Sequence, residues 1–225
     1  MSEKNYVIIT AGGFGNRMGT ELPKQFLDLS GKPILMHTIN RFCSYNNDLN
    51  IIISLPEAYL SFWKSLCKKH EFKIKHKVVS GGDTRFHSIK NALDEVSGNG
   101  LVAVHDGVRP LVSSNTIKQT FEAAEKHGNA VASLDIVFSI RKNVSEKTVA
   151  VNRDLYKEIQ TPQTFKISIL KKAYEQNYED CFTDDASVFE KLGKTIFLTK
   201  GNRENIKITT PADIKIAGIL LNTIV

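Results

Sequence analysis

Apolar residues fall along this chain in two alternating rhythms, short unbroken runs and stripes spaced three or four residues apart. The runs at 6–10, 50–55, 101–105 and 129–134 are short and mostly apolar, which predicts buried strands, and the more polar run at 73–79 is expected as the third strand in order. Stripes lie between them. Pro33 heads a helix carrying Ile34, Leu35, Ile39 and Phe42, and Pro56 heads another to about residue 70 with Leu60, Trp63 and Leu66 turned inward. A third helix runs to about residue 96, and Ser113 or Ser114 caps a long fourth one that stops at Gly128. Strand alternating with helix implies right-handed crossovers. The fold class expected is α/β, a Rossmann-like three-layer sandwich with a mostly parallel sheet.

The rhythm changes after residue 134. Over 136–151 apolar and polar positions alternate across a polar tip at 143–147, which predicts a β-hairpin with no core of its own. Such a hairpin is marginal alone, so it is expected to protrude as an arm and pack on a second subunit. Helices follow over 167–177 and from the Thr183-Asp184-Asp185 cap to 192, with short strands at 196–199 and 205–209. Thr210-Pro211-Ala212-Asp213 is a capping box with proline at the first helical position, and it opens the last helix. The organisation expected is one domain over 1–225, with 136–151 as a dimerisation arm.

Composition excludes more than it identifies. The 225 residues suffice for a full core, 41% are apolar and 24% charged, and neither a repeat nor a low-complexity tract interrupts them. No segment reaches the ~20 apolar residues of a membrane span, and the first ten residues lack the core of a signal peptide. Cys43, Cys67 and Cys181 are odd in number and lack CxxC spacing, so neither a disulfide framework nor a zinc site is indicated. A reducing cytoplasm is expected. The net charge of +6 suits an anionic partner, but no nucleic-acid-binding motif accompanies it.

Chemistry concentrates where strands end. After the first run come Ala11-Gly12-Gly13-Phe14-Gly15, a backbone free to turn its N–H groups toward a phosphate, then Arg17 and Lys24 with Pro23 beside the second. This is neither a dinucleotide fingerprint, since Met18 holds the place of the third glycine, nor a Walker A loop, since Asn16 follows Gly15. A second glycine break, Ser80-Gly81-Gly82-Asp83-Thr84-Arg85, follows the third run, and Ser88 one turn later is placed to point its hydroxyl back. The fourth run leads into Asp106-Gly107-Val108-Arg109-Pro110, where a carboxylate can meet a sugar hydroxyl or a phosphate-borne metal. Loops at the carboxyl ends of strands face one crevice in open α/β sheets. His105 reads as satisfying a backbone group rather than as a catalyst.

The segments AGGFGNRMG, PKQF, GGDTRFHS, HDGVRP, VNRD, QTPQTF, TDDAS and NIKIT occur in this order over nearly the whole chain. Together they resemble the 2-C-methyl-D-erythritol 4-phosphate cytidylyltransferase family, enzymes of the nucleotidyltransferase fold that act in the non-mevalonate route to isoprenoids. The resemblance implies a homodimer that uses CTP, a sugar-alcohol phosphate and magnesium, with no nucleic acid and no membrane. It implies that Arg17 and Lys24 are the catalytic cations on the triphosphate. Ala11, Gly12, Gly13, Gly15, Gly82, Asp83, Ser88, Asp106 and Gly107 would bind nucleotide. Arg109, Ser139, Arg153, Thr161 and Lys207 would bind the acceptor, with Arg153 reaching the site from the other subunit. Magnesium would be held mainly by nucleotide phosphates, with no preformed protein cage and with Asp106 assisting at most.

Gly12, Gly107 and Ser139 depart from the family's usual alanine, alanine and threonine. These departures bear on specificity and leave the reaction class intact. A phosphate monoester, with a second pKa near ~6, is already dianionic at neutral pH, so attack on the α-phosphorus needs no general base. The alternative acceptor is ribitol 5-phosphate, whose cytidylyltransferases share most of these motifs. A non-catalytic nucleotide-binding protein is a further alternative, disfavoured because Arg17 and Lys24 are both present.

Overall fold

A computed structural model describes residues 4–13 and 22–222. Its centre is a seven-stranded sheet. The strands are β1 (Tyr6–Thr10), β4 (Asn50–Leu55), β5 (Lys77–Ser80), β6 (Leu101–Asp106), β7 (Asn129–Asp135), β10 (Lys157–Lys166) and β11 (Leu198–Lys200), in the order β11-β7-β10-β6-β1-β4-β5. β1 pairs in parallel with β4 and β6, as do β4 with β5 and β7 with β11. β10 runs antiparallel to both β6 and β7. The chain leaves β1 toward β4 and β5, then returns to place β6 on the other side of β1. Strand order therefore reverses between β1 and β6, and a crevice opens at their carboxyl ends.

The period-two alternation of side chains divides the core into two layers. Val7, Ile9, Ile51, Ile53 and Ala103 face helices α1 (Ile34–Tyr45), α2 (Leu60–Lys69) and α4 (Ser114–His127), meeting Leu35, Ile39, Trp63 and Phe121. Ile8, Ile52, Val102 and Val104 face α3 (Arg85–Leu93), α5 (Ile167–Ala173) and α6 (Asp185–Glu190), meeting Phe86, Ile89, Leu170 and Phe189. Helices on both faces of a mostly parallel sheet make the three-layer arrangement that the alternating pattern predicts. Helix α7 (Pro211–Leu221) sits on a third cluster with Leu29, Ile34, Val108 and Ile208. Its Thr210–Asp213 capping box is formed, with Pro211 in the first turn.

Four expectations need correction. Residues 73–76 are not strand: β5 starts at Lys77, and His76 instead accepts from the Trp63 indole at 3.0 Å. Residues 205–209 join no ladder, touching the 108 turn through one backbone bond from Ile208 N–H to Val108 O at 3.0 Å. Helix α5 stops at Ala173, short of the expected 177. The longest strand, β10, was not expected at all, because Pro162 cannot donate to a ladder. It is accommodated where the β10–β7 register shifts between Ile159 and Gln163.

The hairpin is present as β8 (Arg141–Val144) and β9 (Lys147–Ala150), paired from Arg141 opposite Ala150 to Val144 opposite Lys147. Both strands are exposed along their length. Two further two-residue strands, β2 (Asp28–Leu29) and β3 (Lys32–Pro33), turn the chain into α1 through Ser30 and Gly31, both at positive φ.

Candidate active site

Three loops converge on the crevice, and each begins as a continuation of the parallel ladder. Ala11 N–H donates to Ser54 O at 2.9 Å, Gly81 N–H to Leu55 O at 2.7 Å, and Gly107 N–H to Thr10 O at 2.8 Å. The cavity they enclose, about 260 Å³, is lined by Ala11, Gly12, Gly13, Lys24, Gly82, Asp83, Ser88, Asp106 and Lys207, with Thr10, Gln25, Thr84, Arg85 and Val108. Gly15 and Arg17 lie outside the described residues.

The glycine loop is held by a residue that stands in the PKQF motif without a signal of its own. Gln25 is 1% exposed, and its amide donates to Ala11 O at 2.6 Å. It belongs to a 3-10 turn, Lys24–Phe26, whose Phe26 packs among Tyr59, Phe62 and Trp63. Lys24 is thus presented from a turn anchored through the two residues that follow it.

The second loop is fixed by Ser88, whose hydroxyl accepts from Gly82 N–H at 3.1 Å. A side chain at Gly82 would collide with the His87 Cβ, so this close turn admits glycine alone. The two glycine loops also approach each other, since a Cβ at Gly12 would stand 3.6 Å from Ser88 Oγ. Gly107 is tightly seated, and a Cβ there would lie 3.0 Å from Ala11 Cβ and from Thr10 O.

Asp106 is the electrostatic centre of the site. Its Oδ2 accepts from Arg109 Nε at 3.0 Å and from Lys207 Nζ at 3.1 Å. Burial pushes this carboxyl toward protonation, but Lys207, Arg85 and Arg109 outweigh it and hold the group well below the usual carboxylate range. Arg109 was expected on the acceptor. The structure buries it and also engages its Nη1 with Asn205 O at 2.7 Å, so its guanidinium is committed to holding Asp106 and the 205 segment. Thr161, another expected acceptor ligand, is buried with its hydroxyl between Asp106 N–H at 3.1 Å and His105 Nδ1 at 3.0 Å. His105 is a satisfied core histidine, its Nε2 bonded to Arg109 O at 3.1 Å and its pKa lowered by burial to about 4.

Arg85 carries no local sequence signal for its partner. Its Nη2 lies 2.5 Å from Oδ2 of the fully buried Asp185, a hundred residues away, while Tyr174 O–H donates to Asp185 Oδ1 at 2.6 Å. Gln163 on β10 sets this wall by donating to Asp184 Oδ2 at 2.9 Å and accepting from Ala186 N–H at 2.8 Å. Ser139 and Arg153 are not brought to the crevice. They line a separate cavity of about 500 Å³ at the base of the arm, where Arg153 donates to Val137 O.

The sequence profile of one family, 2-C-methyl-D-erythritol 4-phosphate cytidylyltransferase, matches residues 5–223. The relative of that name from Bacteroides thetaiotaomicron is 50% identical over 218 residues, spanning 97% of this chain and 100% of the relative. The one from Phocaeicola vulgatus is 49% identical over 216 residues, 96% of this chain and 99% of its own. Among solved structures, the enzyme of the same name from Thermus thermophilus superposes with a TM-score of 0.80 at 28% identity, covering 98% of this chain and 100% of that one. The 4-diphosphocytidyl-2C-methyl-D-erythritol synthase of Anaerococcus prevotii gives 0.83 at 26% identity, covering 98% and 96%. Matches of this extent, over a crevice assembled from the same motif segments, show that the chain belongs to the 2-C-methyl-D-erythritol 4-phosphate cytidylyltransferase family.

Proposed function

We propose that this protein transfers CMP from CTP to 2-C-methyl-D-erythritol 4-phosphate, releasing pyrophosphate, as a step of isoprenoid precursor synthesis. The observation that carries the reading is the convergence of Lys24, the two glycine loops and the Asp106–Lys207 pair on one small crevice at the strand-order reversal. A nucleotide fits its chemistry: amide donors and an ammonium for phosphates, and two glycine loops whose backbone a base can approach closely.

Two polyanions must approach, and charge must be held as the acceptor phosphate attacks the α-phosphorus in line. Lys24, with Arg17, supports the triphosphate and the departing pyrophosphate, and one preorganised donor of this kind commonly contributes about 3–4 kcal/mol. Gly82, Asp83 and Ser88 read cytosine through main-chain groups of the loop and the Ser88 hydroxyl, so that uracil leaves buried groups unpaired. Lys207 holds the acceptor end, with Asp106 between it and the ribose and phosphates of the nucleotide, while Gly107, expected to bind nucleotide, has its N–H on Thr10 O and its carbonyl on Thr38 Oγ1 and serves to seat the turn. No side chain has to remove a proton, because the acceptor phosphate is already dianionic at neutral pH. The donor set fits a magnesium ion brought by the nucleotide, since that ion typically takes one or two carboxylates beside phosphate oxygens and Asp106 is an ionised carboxylate at the cavity. When bound it neutralises phosphate charge and orients pyrophosphate.

The working unit proposed is a homodimer in the cytoplasm. Phe138 is 78% exposed and Leu155 80%, and Val144 and Val149 of the arm are also open, which is apolar surface in want of a partner. Arg153 and Ser139 stand apart from the crevice of their own chain, as expected of residues that complete the acceptor site of the second subunit. The three cysteines are free, in keeping with a reducing compartment.

Pyrophosphate release with CTP and magnesium, offered methylerythritol 4-phosphate and ribitol 5-phosphate in parallel, tests the proposal. Release with the first alone is expected. Release with the second alone would keep the nucleotide roles and overturn the acceptor.

A further inference from the structure

His105 is fully buried beside the acceptor end of the crevice, and the reaction as proposed gives it no task. Its hydrogen bonds nevertheless fix its chemical form. The Arg109 carbonyl only accepts, so Nε2, 3.1 Å from it, carries the proton and donates. Nδ1 is therefore an acceptor, and the Thr161 hydroxyl 3.0 Å away donates to it. That same oxygen accepts from Asp106 N–H at 3.1 Å. The orientation of the hydroxyl is thus fully determined, and its proton is directed away from the crevice.

The consequence is a clamp on the turn over residues 106–109. One end is tied through Thr161 to Asp106 N–H, the other through the Arg109 carbonyl, and a single imidazole holds both. The turn itself closes by Arg109 N–H donating to Asp106 O at 3.1 Å. The rest of the ring runs from Arg109 Nη1 to Asn205 O at 2.7 Å and from Asn205 Nδ2 to Thr161 O at 2.8 Å. Within it Asp106 Oδ2 sets Lys207, whose half-exposed ammonium is a point charge on a flexible stem and takes its position from the carboxylate it meets.

We propose that His105 is a positioning residue for the acceptor end of the site, acting as the Nε2–H tautomer through Thr161 and Arg109 to place Asp106 and Lys207. This rests on the reading that Asp106 and Lys207 face the acceptor.

Steady-state kinetics with both substrates varied, on protein whose folding is verified by circular dichroism and thermal unfolding, tests it. His105→Gln keeps an amide donor for the Arg109 carbonyl but sets no acceptor at the Nδ1 position for Thr161, and Thr161→Val removes the same bond from the other side, together with the acceptor of Asp106 N–H, while keeping the side chain's shape. Each is expected to raise KM for the sugar-alcohol phosphate about tenfold and to leave KM for CTP within about twofold, the scale usual for lost supporting partners of a site. The double variant should be no worse than Thr161→Val, because the bond that His105→Gln deletes is one of the two that Thr161→Val already deletes, and Thr161→Ser should restore the acceptor KM. Where His105→Gln fails to fold, Thr161→Val still overturns the proposal if it leaves the acceptor KM unchanged. Equal changes in the two KM values, or additive effects in the double variant, overturn the proposal. If Lys207→Ala leaves the acceptor KM unchanged, the reading beneath it fails and the proposal falls with it. If Lys207→Ala raises that KM and Thr161→Val does not, the proposal alone is overturned.

Discussion

Lys207 Nζ stands 3.1 Å from Asp106 Oδ2, an ion pair that joins the loop after β6 to the segment before α7. With Arg109 and Arg85 it outweighs the burial that would otherwise protonate the carboxyl. The folded-state pKa is lowered, so the stabilisation is complete above the ordinary carboxylate value and is lost only as pH falls below it. Asp106 therefore contributes no ionisation between about pH 5 and 9. The acid limb of kcat/KM should lie near ~6, the second ionisation of the acceptor phosphate, and should persist in Asp106→Asn. A limb that disappeared in that variant would belong to the carboxylate instead.

Lys24 is presented from a turn pinned by Gln25 to Ala11 and by Phe26 in an aromatic cluster. Lys24→Ala should leave thermal unfolding unchanged and lower kcat/KM by about 10²–10³, the cost of one preorganised charge donor. Near-wild-type turnover would remove the first loop from the chemistry.

The Arg85–Asp185–Tyr174 cluster predicts an asymmetry in stability. Asp185 is fully buried, so Arg85→Ala strands a carboxylate and should cost about 3–5 kcal/mol by urea unfolding. Tyr174→Phe removes one hydrogen bond to a charged group and should cost about 1.5–3 kcal/mol. Equal losses would show that the cation is not what holds Asp185.

Arg153 lies at the base of the arm, outside the crevice of its own chain. Arg153→Ala should raise KM for the sugar-alcohol phosphate by about 10–100-fold, with KM for CTP little changed. Active-site complementation in mixed dimers would then report the subunit that supplies it: Arg153→Ala mixed with Lys24→Ala should recover activity that neither variant has alone. No recovery in verified heterodimers would assign Arg153 to its own subunit.

The sheet and the convergence of its glycine loops on one crevice were legible because their information is local. Glycines, a following cation and a strand's carboxyl end sit within a few residues of one another, and period-two and period-3.6 stripes mark the layers. The strand through Gln160-Thr161-Pro162-Gln163 was not legible, since proline argues against a central strand and only the register shift beside it accommodates the ring. Arg109 and Thr161 were placed at the site, yet their polar atoms turn to Asp106, Asn205 and His105, an outcome fixed by segments far apart in sequence. The pairing of Arg85 with Asp185 has the same origin.

The three bonds at the mouths of the loops, from Ala11, Gly81 and Gly107 to the neighbouring strands, have a consequence for how the enzyme fails. They are the last rungs of the central ladder, so the amides that open the crevice share the fate of the interior sheet. Their protons should exchange with deuterated solvent at nearly the rate of global opening, orders of magnitude more slowly than those of the exposed arm. Heat should therefore loosen the exposed arm first and the mouth of the crevice last, so that the three loops keep their places until the sheet itself opens.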